Sequence, residues 1–78
     1  MDNPIKTFVS KGGSLRTQLG EKIVNNSSDR EIKEAMLDDG CVGQLTALLN
    51  STKDPVLHQR LFELSDEMDY EESKVKTW

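Results

Sequence analysis

The chain has too few cysteines to stabilise a small fold with disulfides. Cys41 is the only one in 78 residues, so no internal bridge can form. Small secreted domains usually carry several bridges, and their absence favours a reducing compartment. No apolar run reaches the roughly 18–20 residues that span a bilayer, and no apolar stretch typical of a secretory signal follows the N-terminus. We therefore expect a cytoplasmic protein without direct membrane insertion.

Reactive side chains are equally scarce, with one histidine and one cysteine. An enzymatic hypothesis could use only Cys41 with His58 as its base, but a cysteine at the start of an apolar helix is ordinarily a small buried hydrophobe. Zinc requires more Cys or His ligands than these two. The acidic run at 66–72 lacks the glycine turn and oxygen spacing of a calcium-binding EF-hand. We predict no catalytic residue, no metal and no cofactor.

Positive charge is lacking from the second half of the chain. Residues 1–33 carry six Lys and Arg against four Asp and Glu, whereas residues 34–78 carry four against ten. Between Leu61 and Glu72 there are six acids and no base. Such a surface repels phosphate backbones, which argues against nucleic-acid binding. It suits a protein partner with a basic segment; the alternative is a solvated helix face leading into the C-terminal tail.

Aromatic residues are few, so the core must depend on aliphatic side chains at helical spacing. A chain of this size buries only about 60% of the surface that its unfolded form exposes. The residues expected to face the core are Ile5, Phe8, Val9, Leu15, Leu19, Ile23, Val24, Ile32, Ala35, Met36, Val42, Leu45, Leu48, Leu49, Leu57, Leu61, Leu64 and Met68.

Capping signals divide these stripes into five short helices. Asn3 and Asp54 each stand before a proline, which favours the first helical position. Ser28 with Glu31 fits a capping box, Ser14 is expected to cap the second helix, and Gly40 to end the third in a left-handed conformation. No segment alternates as a strand does. We expect an all-α fold, with residues 1–70 as one helical domain and 71–78 as a flexible C-terminal tail.

Residues 40–68 resemble one armadillo-type repeat. In the run Gly40-Cys41-Val42-Gly43-Gln44-Leu45-Thr46-Ala47-Leu48-Leu49-Asn50-Ser51, a glycine precedes the second helix and a leucine pair closes it. A short polar turn follows, and Asp54, Leu57, Leu61, Phe62 and Leu64 belong to an amphipathic third helix. The resemblance implies an armadillo-like mini-solenoid as an alternative to a compact bundle. Glu67 stands where such helices usually carry a peptide-clamping asparagine, so the family's peptide groove is not carried over.

The whole chain also resembles small phage-encoded regulators in size, acidity and lack of paired cysteines. The lysis-inhibition accessory proteins of T-even phages are one such family. This resemblance implies action as an antiholin-type protein on the cytosolic part of a holin–antiholin system. No motif in the chain carries it.

The last predicted helix suggests a binding face. Phe62 lies about 100° from the apolar stripe, beside His58 and Ser65, and an exposed aromatic with an acidic rim is a plausible interface anchor. The alternative is that Phe62 packs against the first or third helix. The residues predicted to bind a protein partner are Phe62, His58, Glu63, Asp66, Glu67 and Tyr70. A self-associating structural subunit is a further hypothesis, because dimer formation would extend a small core.

Overall fold

The computed structural model describes residues 3–76, and it describes side chains for residues 3–69. Within this range the chain forms five α-helices and no strand, which confirms the predicted all-α class. In order, the helices are α1 (Pro4–Ser10), α2 (Gln18–Asn26), α3 (Asp29–Met36), α4 (Asp39–Ser51) and α5 (Pro55–Lys76). Helix α5 passes the predicted domain end at residue 70. Mobility of residues 71–78 stays a prediction, and Trp78 lies outside the described residues.

Three predicted caps are present. The Asn3 side chain accepts the Ile5 amide at 2.9 Å, and its Nδ2 donates to the Glu31 carbonyl at 2.7 Å, which ties α1 to α3. Ser28 and Glu31 make both bonds of the capping box. The Asp54 carboxylate accepts the Val56 amide at 3.0 Å at the start of α5. These bonds satisfy amide groups that have no partner within their helix.

The predicted start of α2 is wrong by one turn. Thr17, not Ser14, caps this helix, with its hydroxyl accepting the Gly20 amide at 3.1 Å. Ser14 instead begins a turn, in which its carbonyl accepts the Thr17 hydroxyl at 2.7 Å. Because Leu15 lies before the helix, the i, i+4 spacing does not place Leu19 on the same face. Leu15 is fully buried, whereas Leu19 is 58% exposed.

The prediction for Gly40 is also wrong. Gly40 lies in the first turn of α4, and its amide donates to the Asp38 carboxylate at 2.9 Å. Among the described residues, the positive φ belongs to Gly12, at 85°. Since α3 already ends at Met36, residues 37 and 38 make the connection. Leu37 is left 72% exposed.

The core is aliphatic, as predicted. Cys41 is buried as a small hydrophobe, and Met36, Leu49 and Phe8 pack partly buried against the core. Val42 departs from prediction and is 42% exposed. The buried hydrophobic residues are Ile5, Leu15, Val24, Ile32, Ala35, Cys41, Leu45, Leu48, Leu57, Leu61 and Leu64.

Arg60 fastens α5 to the turn between α2 and α3. Its Nη1 donates to the carbonyls of Val24 at 3.3 Å and Asn25 at 3.0 Å, and its Nη2 donates to the Ser27 carbonyl. Its Nε donates to the Asp29 carboxylate at 2.9 Å. One guanidinium thus joins α5 to carbonyls at and just after the end of α2 and to Asp29, the first residue of α3.

Candidate functional site: an apolar groove

An apolar groove of about 450 Å³ opens where α3 ends and α4 lies beside α5. We call it the α4–α5 groove. Its base includes Leu45 and Leu61, which are 2% and 1% exposed and belong to the core. The residues lining it are Met36, Leu37, Val42, Leu45, Thr46, Leu49, Leu61, Ser65, Met68 and Asp69.

The helices around the groove have unequal lengths. Helix α5 has 22 residues and α4 has 13, which correspond to about 33 Å and about 20 Å at 1.5 Å per residue. Helix α3 has only 8 residues and stops at Met36. Leu37, just after the end of α3, and Val42 on α4 both line the groove and remain exposed.

The charge near the groove is negative. Asp69 is the single charged residue among the lining residues that the structure describes. Asp38 and Asp39 are exposed and lie in the chain between Leu37 and Val42, which both line the groove. Between residues 34 and 72 the only Lys and Arg are Lys53, in the α4–α5 turn, and Arg60, which binds at the α2–α3 turn. No described lining residue is basic.

Phe62, His58 and Asp66 share one side of α5, and all three are exposed. They are spaced four residues apart, so they follow one another along a single helix face. Asp69 comes seven residues after Phe62 and is nearly aligned with it. Phe62, which is 54% exposed, therefore lies on the same side of α5 as Asp69, next to the groove but not among the residues that line it. The alternative in which it packs against another helix is not what the structure shows.

The remaining residues of the predicted face have other contacts or lie outside the described side chains. Glu67 is about 140° around α5 from Phe62, and its carboxylate accepts Lys33 Nζ at 2.7 Å, which holds it on the α3 side. Glu63 accepts the Gln59 side-chain amide at 3.1 Å. The side chain of Tyr70 lies outside the described residues. Of the predicted residues with described side chains, Glu67 is thus the one that the structure holds away from Phe62, against α3.

The sequence pattern does not single out the groove residues of α3 and α4. It predicts that Val42 and Leu49 face the core and indicates no role for Leu37. One signal was available: Val42 and Leu49 adjoin Cys41 and Leu48, so the apolar arc of α4 is wider than one core contact can bury. The structure divides that arc. Cys41 and Leu48 are buried in the core, Val42 lines the groove, and Leu49 lines the groove while packing partly buried against the core.

Cys41 and His58 have different environments. Cys41 is 2% exposed on α4, and burial, followed by the nearby Asp38 carboxylate, raises the pKa of its thiol above the ordinary value. This favours the unreactive protonated thiol. His58 is exposed on α5. Among the side chains of residues 3–69, no three His, Cys, Asp or Glu are grouped so as to hold a metal ion.

None of the helices in the described range is both long and apolar enough to cross a membrane. No protein-family model, curated protein or solved structure matches the chain. The likeness of residues 40–68 to an armadillo repeat, and that of the whole chain to phage regulators, therefore stay predictions.

Proposed function

We propose that this protein is a non-catalytic interaction module that binds a partner protein in the α4–α5 groove. The observation that supports this is the grouping of Leu37, Val42 and Leu49 around one concave, mostly apolar surface. Single exposed apolar residues are ordinary on protein surfaces, whereas contiguous ones at a concavity are typical of binding sites. The groove volume also lies within the range of known ligand sites.

Covering the groove would remove substantial apolar area from water. Leu37 is 72% exposed and Val42 is 42% exposed. Full burial of a side chain of this kind stabilises by about 1.5–3 kcal/mol, so these two positions would be energetically important in a complex. Phe62, at the edge of the groove, could add an aromatic contact of the kind enriched at interfaces.

A phage lysis-inhibition role stays a prediction from the chain's resemblance, and no feature of the groove favours it over other regulatory partners. Self-association is the other alternative. Two copies meeting through this groove would bring acidic surfaces together in a protein of net charge −4, which costs free energy unless bases intervene. The groove therefore favours a different protein as partner.

The test compares two double variants with matched exposure. Leu37→Ser with Val42→Ser changes the groove, whereas Val56→Ser with Leu19→Ser changes two exposed residues outside it, Val56 being 71% exposed and Leu37 72%. We expect affinity capture from extracts of the source cells to enrich a protein with the wild type and the control variant. The groove variant should lower its recovery at least about tenfold, equivalent to 1.4 kcal/mol.

Circular dichroism must first show that both variants keep the helical content of the wild type. Equal recovery by the two variants, or no enriched protein with the wild type, contradicts the proposal.

A further inference from the structure

We infer that the α4–α5 groove takes an amphipathic helix whose apolar face is flanked by Lys or Arg, supplied by a different protein. This inference rests on the proposed function and specifies the partner's chemistry. The occupant is a helix and not an extended strand, and its flanks are basic and not acidic. It belongs to a partner protein and not to a second copy of this chain.

The groove matches about two turns of a helix in length. Its lining residues extend from Val42 to Leu49 on α4 and from Leu61 to Asp69 on α5, which is about 10–12 Å at 1.5 Å per residue. Apolar residues at i, i+3 or i+4, and i+7 of one helix cover the same distance. A single amphipathic helix can therefore place three successive anchors along the groove.

An extended segment fits less well because the groove offers no backbone to pair with. Strand addition requires an exposed sheet edge with free amide and carbonyl groups. The walls here are helices whose backbone groups bond within the helix, and no strand is present in residues 3–76. Side chains alone meet the occupant, and among the described lining residues Thr46 and Ser65 supply the hydroxyl groups.

Two methionines make the groove adaptable. Met36 and Met68 are both partly buried and both line it. Their unbranched, polarisable side chains fill irregular gaps and suit surfaces that accept helices with different apolar residues. The groove should therefore select for apolar spacing and charge more strongly than for the identity of each anchor.

Charge favours basic flanks. Asp69 lines the groove, Asp66 lies one turn beyond Phe62, and Asp38 and Asp39 lie at the start of α4. Lys or Arg on either side of an apolar stripe would meet these carboxylates, which speeds association and fixes orientation. In a symmetric dimer the same patch would face itself, so Asp69 and its neighbours would meet other carboxylates. This disfavours a second copy as the occupant.

The experiment uses the full chain and three fluorescein-labelled 18-residue peptides, followed by fluorescence anisotropy. The first peptide has Leu at i, i+3, i+4 and i+7 and Lys at every charged position. The second replaces every Lys by Glu, and the third scrambles the first so that its apolar periodicity is lost. We expect the first to bind saturably and the other two to bind at least about tenfold more weakly. Raising the salt concentration should weaken the first severalfold, because charges at the rim are screened.

The variants separate failure of this inference from failure of the proposed function. Binding of the first peptide should fall at least tenfold with Leu37→Ser and Val42→Ser and stay unchanged with Val56→Ser and Leu19→Ser. If the acidic or the scrambled peptide binds as tightly as the first, the inference that the occupant is a basic amphipathic helix is overturned. If the groove variant still abolishes capture of a cellular partner, the proposed function stands without it.

Two further outcomes would assign the groove to another occupant and overturn the inference. The first is a dimer in sedimentation at micromolar concentration that the groove variant converts to a monomer. The second is saturable binding of decanoate, lost in the groove variant, with no binding of the first peptide. Failure of every peptide to bind the wild type also overturns it.

Discussion

Arg60→Met is expected to lower the free energy of unfolding by about 2–4 kcal/mol. The guanidinium bonds the carbonyls of Val24, Asn25 and Ser27 as well as Asp29, and hydrogen bonds to charged groups contribute about 1.5–3 kcal/mol each in favourable cases. Methionine keeps the apolar stem but leaves the carbonyls without this donor. For a domain of this size, about 1 kcal/mol shifts Tm by roughly 4–8 °C, so a fall of roughly 8–32 °C is expected by calorimetry or thermal circular dichroism.

Arg30→Met is the matched control. Arg30 is 88% exposed and pairs with Glu34 one turn along α3, and exposed pairs of this kind contribute a few tenths of a kcal/mol. Arg60→Lys should give an intermediate loss, because lysine keeps the charge but lacks the planar fork of donors. Equal Tm values for Arg60→Met and Arg30→Met would contradict the role assigned to Arg60.

The same substitution at two glycines should change stability in opposite directions. At Gly20 an added Cβ would lie 2.4 Å from Leu15 Cα and 2.6 Å from the Ser14 carbonyl oxygen. These are backbone atoms and cannot rotate aside, so Gly20→Ala should cost at least about 1–3 kcal/mol, as other overpacked sites do. Gly43 lies within α4, and the new Cβ would have no atom within 4 Å apart from its chain neighbours and the nearby backbone of its own helix. Gly43→Ala should therefore gain up to about 1 kcal/mol from helix propensity.

Urea unfolding of the two variants measures this difference directly. A destabilised Gly20→Ala and a stabilised Gly43→Ala are the expected pair. Gly43 lies outside the α4–α5 groove, so its variant should also bind the basic peptide normally. An unchanged urea midpoint for Gly20→Ala would show that α2 does not pack tightly against the Ser14–Leu15 backbone.

Local chemistry was sufficient to predict the helices, since caps depend on residues close in the chain. Asn3, Ser28 and Asp54 each cap the helix that their sequence context indicates. Prediction failed at Ser14 and Gly40, where a competing cap lies nearby. Thr17 and Asp38 supply those competing caps, and the choice between two plausible caps depends on tertiary packing.

The candidate site could be predicted only in part. Exposure of Phe62 follows from its position off the apolar stripe of α5, and the structure shows it exposed. The groove depends on where α3 stops and on which side of α4 the core contacts, and neither is visible in a one-dimensional pattern. Glu67 shows the same limit: the acidic run places it beside Phe62 in the chain, whereas its ion pair with Lys33 holds it against α3.

The most direct test of the groove as the binding site uses its methionines as probes. Two of the three methionines in the chain, Met36 and Met68, line the groove. With ¹³C-methyl labelling, each is assigned by its Met→Leu variant, and the protein is titrated with the basic amphipathic peptide. Both methyl resonances should shift and saturate together with the anisotropy signal. Saturable binding that leaves both methionine resonances unmoved would contradict the groove as the binding site.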